Sequence, residues 1–547
     1  MNIVLKNNNG YRWESINNVS FKGYFQFTDS VDVYRHEKAI NEFSGITDIE
    51  GFVSLLKRID GSYAVIINNG DTALCAVDRA RSMPIYYSTN GFCISDSAEE
   101  IRKALNVSKN DVDKDAFFEM AASYYVRGNK TVYGCINQLD LGESALISKE
   151  KVLIKRYFDH INSINDIPVE SIKKKLTDAA YNTFYKIKEV IGGRPVVLSM
   201  SGGYDSRFVG CMLKNVGVED VSCYTYGKGD NFEVRQSKKN AEALGFRWKC
   251  VEMTDDLIKG QLDDVGMAYL RSYEGHDFTA YLQNLPAVRK LHEEGWFKKD
   301  SVFLTGACGD MPTGEYTDKR NESIVHTGKT VAENIYKEMF ARYEMSDDYK
   351  DRWINNLCKR IEEIPIKVSD YQSWQSVFDC IYTGNPHVRW FMHMNSVPSF
   401  FGYEWLMPYW NKELLELWYS VPVRYKYNQG LYEDWLLNDI CEKYGLNQKK
   451  SWITYSKNPV VEWLQYTAGG IINYTLLHCG IPFKRKQDFN NFAPLELELY
   501  KRIQSKNLIV YHRAGLMQLL DHFLIEQRYG TENYKKFVES VKPSKNS

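Results

Sequence analysis

The 11 cysteines of this chain form no Cys-x-x-Cys pair and stand scattered at positions 75, 93, 135, 211, 223, 250, 308, 358, 380, 441 and 479. That scatter and the odd number exclude a disulfide framework and a zinc site of ordinary spacing, and they predict reduced, buried thiols. Long apolar runs are missing too: nothing approaches the roughly 18 residues of a membrane span. The start, MNIVLKNNNGYRWE, has too short an apolar patch for a signal peptide. The expected compartment is the cytoplasm. Net charge is also lacking, since 69 Lys and Arg against 70 Asp and Glu give −1. Such a chain has no field to hold a nucleic acid or an anionic membrane. Repeats and low-complexity segments are absent, and no G-x-G-x-x-G dinucleotide signature occurs. The Gly-Lys-Thr at 328–330 is a decoy, because Ser323 stands where a P-loop needs its first glycine.

What the chain has is length and an ordinary globular composition: 547 residues, 44% hydrophobic and 25% charged. At about 150 residues per domain, two to four domains are expected. Up to about residue 158 the pattern is of short strands, Tyr63-Ala-Val-Ile-Ile67, Thr72-Ala-Leu-Cys-Ala-Val77, Ile85-Tyr-Tyr87 and Ser144-Ala-Leu-Ile147, separated by Asn/Gly/Asp turns. This predicts an antiparallel, sheet-rich first domain over 1–165. Helical spacing of Ile172, Leu176, Ala180, Phe184 and Ile187 opens the second domain, 166–547. There, strands at Pro195–Met200, Val221–Tyr226 and Trp248–Met253 alternate with helices at Arg207–Val216 and Glu233–Leu244, which argues for a parallel sheet. Beyond about 330 the segments read as mostly helical.

One hexapeptide carries chemistry: Ser201-Gly202-Gly203-Tyr204-Asp205-Ser206, between the end of an apolar strand and the start of a helix. Two glycines let backbone N–H groups close around phosphate oxygens, two hydroxyls add donors, and the helix brings its positive end. Asp205 would be repelled by bare phosphate, so it suits a divalent cation bridging the phosphates. Ser, Gly and Asp also favour a plain turn, but chance gives this pattern in such a chain only about once in a thousand.

Ser-Gly-Gly-x-Asp-Ser after a strand resembles the pyrophosphate loop of the asparagine synthetase type of ATP pyrophosphatase, a superfamily that includes the β-lactam synthetases. Asp60-Gly-Ser-Tyr63, Ala76-Val-Asp-Arg79 with Met83-Pro-Ile-Tyr-Tyr87, and Gly134-Cys-Ile-Asn-Gln-Leu139 are similar to segments of that family's glutaminase domain. Phe303-Leu-Thr-Gly-Ala-Cys-Gly-Asp-Met-Pro-Thr-Gly314 resembles its second nucleotide segment, nearest the β-lactam synthetase variant. Gly402-Tyr-Glu-Trp-Leu-Met-Pro-Tyr-Trp410, with Val421-Pro422, resembles its helical region in a version associated with bacterial polysaccharide gene clusters.

The resemblance implies an α/β chain: an Ntn-hydrolase-like β-rich sandwich followed by a Rossmann-like pyrophosphatase domain with a largely helical C-terminal part. It implies an ATP-dependent ligase that activates a carboxylate as an acyl adenylate, releases pyrophosphate, and lets ammonia or an amine displace AMP. By the same likeness Ser201, Gly203 and Ser206 contact pyrophosphate, Gly202 belongs to the same ATP-binding loop, Leu198, Tyr226, Thr305 and Gly306 border the adenosine, and Asp205 and Asp310 bind Mg²⁺. The family's phosphate-neutralising lysine falls near Lys450 or Lys457, and both stay open.

Departures from the family shape the expected function. Its glutaminase uses a cysteine at position two, whereas this chain has Asn2, and the N-G-E-I-Y-N segment that helps hold glutamine has no counterpart between residues 20 and 60. The first domain is therefore expected to be a silent shell, with nitrogen coming from ammonia, a separate glutaminase or a substrate amine. Ala307 replaces the glutamate of asparagine synthetases and the tyrosine of β-lactam synthetases. Together with the aromatics Tyr403, Trp405, Tyr409 and Trp410, it points to an acceptor other than aspartate, such as a uronic acid of a surface glycan. Alternatives are an intramolecular cyclase, an ammonia-dependent asparagine synthetase and a non-catalytic ATP-binding scaffold; a homodimer is a further expectation. His387 and His393, six apart, are off helical register for one metal.

Overall fold

The computed structural model describes the chain except residues 8, 162–163, 165, 230, 274, 385–388, 390, 450–470, 483–488, 507–514 and 544–547. The first half is built from ten strands: β1 (Asn2–Val4), β2 (Trp13–Ile16), β3 (Val19–Phe27), β4 (Ile59–Asn68), β5 (Thr72–Val77), β6 (Tyr86–Ser88), β7 (Cys93–Ser95), β8 (Asn137–Gln138), β9 (Glu143–Ser148) and β10 (Val152–Arg156). They form a six-stranded sheet, β10-β9-β5-β4-β3-β2, and a four-stranded one, β1-β7-β6-β8.

Alternation along β4 and β5 explains the layering. Ala64, Ile66, Ala73 and Cys75 face the main core together with Tyr87 and Ile94 of the smaller sheet. Tyr63, Val65, Ile67 and Leu74 face a second core under helices α1 (His36–Phe43) and α2 (Ile49–Arg58). Residues i and i+2 of a strand share a face, so a strand apolar on both faces must be covered twice. Helices α3 (Ala98–Ala104) and α4 (Lys114–Ser123) pack into the main core. The result is a helix–sheet–sheet–helix sandwich, as the family resemblance implied.

Two details differ from the sequence expectation. Four helices interrupt the strand-rich half, and β1 pairs with β7 in parallel, not antiparallel, register. The α2 signal was present, because Ile49, Phe52, Val53 and Leu56 hold helical spacing behind Asp48, whose carboxylate caps the helix by accepting from the Glu50 and Gly51 amides.

The long helix α5 (Val169–Ile191) leads into a five-stranded parallel sheet: β11 (Val196–Ser199), β12 (Val221–Gly227), β13 (Arg247–Glu252), β14 (Val302–Leu304) and, beyond the two-residue β15 (Tyr343–Glu344), β16 (Glu404–Leu406). Helices α6 (Tyr204–Asn215) and α7 (Phe232–Leu244) cross between the first strands. The order is β13-β12-β11-β14-β16, so the chain reverses its direction of growth between β11 and β14. Strand β16 corrects the helical expectation for 402–410: Trp405 lies in register with Phe303, extending the sheet. The remainder is mostly helical. No described helix is long and apolar enough to cross a membrane.

Candidate functional site

In an open parallel sheet, ligands bind beyond the carboxyl ends of the strands where the order reverses. Here that crevice lies between β11 and β14, and the two segments leaving these strands are 200–206 and 305–310. Eight of the twelve candidate residues named from the sequence stand on these two segments.

The first segment is closed on itself. The Ser201 amide donates to Ser206 Oγ at 3.0 Å, the two serine hydroxyls are 3.0 Å apart, and the Gly203 amide donates to Ser201 Oγ at 3.1 Å. Gly203 is the N-cap of α6 with no capping side chain, so the first turn keeps amides for a ligand. A Cβ on Gly202 would sit 3.3 Å from Gln236, and one on Gly306 would fall 2.6 Å from the Asp205 carbonyl carbon and 2.7 Å from the Ser206 nitrogen. Only glycine at 306 lets the β14 segment lie directly on the loop.

The second segment is strained. Cys308 has φ of 64°, a left-handed value that side chains rarely take and that clusters at functional sites. The Ala307 amide donates to Thr305 Oγ1 at 3.1 Å, and Asp310 begins a short helix. Burial pushes the Cys308 thiol well up, with the negative charges of Asp310 and Asp205 adding to it. Both candidate metal carboxylates therefore lie close to one thiol.

Asp205 has partners that the sequence did not foretell. Its Oδ1 accepts from the Tyr432 hydroxyl at 2.7 Å and from Tyr409 at 3.4 Å, and the two phenols touch each other. Burial, followed by the charge of Asp205, raises both phenols well above their ordinary value. The Tyr409 ring also abuts Gly309, where a Cβ would meet it at 2.7 Å. No sequence signal links Tyr432 to Asp205 across 227 positions.

Trp405, Tyr409 and Trp410 are thus packing residues, 6%, 1% and 7% exposed. Trp405 lies in register in the sheet and Tyr409 faces Asp205 and Gly309. Tyr403, half-buried, packs on Phe303 at 5.0 Å.

Leu198 and Tyr226 stand on neighbouring strands. Leu198 pairs with Cys223 and Leu304 and is fully buried, its Cδ2 3.5 Å from a Cβ built on Gly210. Tyr226, half-buried, precedes the end of β12 and pairs with Val251. Lys450 and Lys457 lie outside the described residues, but the chain leading to them is fixed against the loop. Arg207, buried, donates from Nη1 to the carbonyls of Leu446 at 2.9 Å and Gln448 at 2.7 Å. Lys449 pairs with Glu433 at 2.6 Å, and Glu433 accepts from the Tyr204 hydroxyl at 2.7 Å.

Among the described residues no group of three or more His, Cys, Asp or Glu forms a metal cage. Two carboxylates suffice for Mg²⁺ when substrate phosphates and water complete its shell. His387 is outside the described residues; His393 is buried and stacked on Phe278 at 3.7 Å, a core position. Gly328–Thr330 begins a helix whose Thr327 and Thr330 form a capping box, the local reason for that Gly-Lys-Thr.

A closed Ser/Gly loop, a free helix start and a carboxylate thus meet at the switch point of an α/β domain. Residues 188–452 match the family model described as asparagine synthase, so this part of the chain is a domain of the asparagine synthetase superfamily, a family of ATP-dependent ligases. No curated protein matches the chain. Among solved structures, the glutamine phosphoribosylpyrophosphate (PRPP) amidotransferase from B. subtilis complexed with ADP and GMP is similar at 13% identity, over 54% of this chain and 63% of that one, with a TM-score of 0.18. The chain therefore spans less than two thirds of that structure, and the likeness is too slight to bear on fold.

Proposed function

We propose that the protein is an amide-forming ligase that activates a substrate carboxylate as an acyl adenylate, with ATP split to AMP and pyrophosphate and with ammonia or an amine as the nitrogen donor. The observation that carries this reading is the loop 201–206 clasped by Gly306 at the switch point, with Asp205 beside it. Donors fixed in place before the reaction stabilise charge developing on a leaving pyrophosphate at no cost of reorganisation. Asp205 and Asp310 would hold Mg²⁺, which would offset the charge of the phosphates. Ser201, Ser206 and the first amides of α6 would bind the pyrophosphate oxygens, and Thr305, Gly306, Leu198 and Tyr226 would border the adenosine.

Ala307, half-buried beside this site, supports an acceptor other than aspartate, since its methyl group carries no charge next to the reacting carboxyl. A uronic acid of a surface polysaccharide is the class we favour, and the chain's lack of a cysteine at position two favours a nitrogen source other than its own glutaminase.

The test is exchange of labelled pyrophosphate into ATP, with Mg²⁺ and a panel of uronic acids, carboxyethyl amino acids and aspartate. Exchange dependent on one carboxylate is expected, and Asp205→Asn is expected to abolish it. ADP as the nucleotide product would refute the reading, and fast exchange with aspartate would return the protein to an ammonia-dependent asparagine synthetase.

A further inference from the structure

The match to the ligase family ends at residue 452, yet a later part of the chain returns to the carboxyl edge of the parallel sheet. The crevice at that edge has two walls. On one side Gly306, after β14, lies on the backbone of the loop 201–206. On the other stands the end of β12, with Tyr226 half-buried and Gly227 closing the strand. Beyond the last ladder bond, a strand end needs partners from elsewhere for its backbone groups. Residues 489–491 supply them. The Lys228 amide donates to the Phe489 carbonyl at 2.6 Å, and the Met253 amide, just past β13, donates to the Gly227 carbonyl at 3.0 Å.

Asn491 closes this arrangement. Its Nδ2 donates to the Met253 carbonyl and to Asp255 Oδ1, both at 2.8 Å, which uses both protons of the amide group. The residue is 3% exposed and has φ of 55°, a left-handed value that asparagine tolerates better than most residues and that persists where surrounding contacts impose it. The approach to the sheet is close, since a Cβ on Gly227 would meet the Phe489 carbonyl oxygen at 3.3 Å. Behind the turn, the helix Ala493–Arg502 buries Ala493, Leu495 and Leu499 and packs against the helix Asp255–Lys259. The turn is thus anchored on packed helices rather than hung from a loop.

We propose that the turn Phe489–Asn491 positions the ends of β12 and β13 for the nucleoside half of ATP, with Asn491 as a positioning residue for ATP binding that lies outside residues 188–452. This role rests on the ATP reading of the loop 201–206. The loop takes the phosphates, and a sheet of this kind binds the rest of a nucleotide outside the carboxyl ends of its strands. Ser201, Gly203 and Ser206 bond among themselves, and Gly306 braces them from β14, so the phosphate loop does not depend on Asn491. The β12 end does, through Met253 and the Phe489 carbonyl. Losing the Asn491 amide should therefore loosen the nucleoside wall and spare the phosphate loop.

The experiment is titration calorimetry on the full chain, in Mg²⁺, with ATP, AMP and inorganic pyrophosphate, for wild type, Asn491→Asp and Asn491→Gly. The first variant keeps the side-chain shape, has no proton to donate and sets a second carboxylate against Asp255. The second removes the side chain and keeps the left-handed backbone available. Both are expected to weaken ATP and AMP about tenfold and to leave pyrophosphate affinity unchanged, which also shows that the variants are folded. ATP and AMP affinities equal to wild type in both variants overturn the proposal. So does a parallel weakening of all three ligands, which would make Asn491 a residue of general stability. A wild-type chain that binds neither ATP nor AMP would defeat the ligase reading itself, and the proposal with it.

Discussion

Asp205 Oδ1 accepts a hydrogen bond from the Tyr432 hydroxyl, and that contact helps to set how the carboxylate faces the crevice. A hydrogen bond to a carboxylate is stronger than a neutral one and orients the group. Tyr432→Phe keeps the ring and removes the donor. We expect pyrophosphate exchange to fall about tenfold, mainly as a higher Mg²⁺ requirement, with a stability loss of about 1 kcal/mol. Exchange measured across Mg²⁺ concentrations decides, and an unchanged Mg²⁺ dependence would show that the phenol does not position Asp205. Gly306→Ala is expected to act differently, since its Cβ would stand 2.6 Å from the loop backbone. It should abolish exchange while circular dichroism stays that of the wild type. At this scale the sequence was legible where chemistry is local. Ser201, Gly203 and Ser206 bond to one another within five positions. Tyr432, Glu433 and Arg207's carbonyl partners are brought in by tertiary packing, for which a single sequence carries no signal.

Elements were legible in proportion to their length and to the regularity of their burial. Strand β5 and helix α5 follow the expected spans nearly residue for residue, because Thr72–Val77 is apolar on both faces and Val169–Ile191 holds its period over 23 residues. Strands β14 and β16 have three residues each, too few for any period to show, yet β14 carries half of the site. Helix α6 starts at Tyr204 rather than Arg207, since Gly203 in extended backbone already serves as its N-cap. The C-terminal helix Leu516–Tyr529 holds a titration hidden from sequence. Burial raises the Asp521 carboxyl from 3.8 to about 7, with Thr279 Oγ1 donating to it at 2.7 Å. Between these values the folded chain holds a proton that the unfolded chain has released, so raising the pH favours unfolding. Stability from this group is fully present below about pH 4 and is lost as pH rises through about 7, at up to about 1.4 kcal/mol per unit. Asp521→Asn should therefore gain stability relative to wild type as pH goes from 5 to 8. Urea unfolding at both values tests this, and an equal difference at the two would refute the titration.

At the scale of the whole molecule, the two halves share one core and a buried ionic junction. The main hydrophobic cluster runs without a break from Tyr11 through Ile66 and Leu198 to Phe537. Residues 276–279 reach from the second half into the first: the Val132 amide donates to the His276 carbonyl, Val126 to Asp277, and Thr279 to Tyr124, at 2.7–2.8 Å. There Asp277 meets Arg81 at 2.8 Å, both side chains wholly buried, and accepts from Tyr86 at 2.8 Å. Arg389, also wholly buried, pairs with Asp140 at 2.6 Å and lies 3.8 Å from Asp277. Arg81 and Arg389 thus pair across the halves with Asp277 and Asp140, the latter also 3.6 Å from Arg156, and the cross-pairs exist only when the halves are docked. A pair of this sort contributes little net stability over apolar replacements, yet removing one partner strands a charge out of water, at a cost of about 3–5 kcal/mol. Asp277→Asn is therefore expected to destabilise the chain by about that much and to loosen the junction, so that one cooperative urea transition becomes two. Arg81→Met combined with Asp277→Leu removes both charges and should recover most of the loss while keeping a single transition. If the single and double variants were equally unstable, packing at 275–279 rather than charge balance would hold the halves together. If Asp277→Asn unfolded in one transition at the wild-type midpoint, the junction would be dispensable, and the N-terminal sandwich would be a separable unit rather than a wall of the ligase's own core.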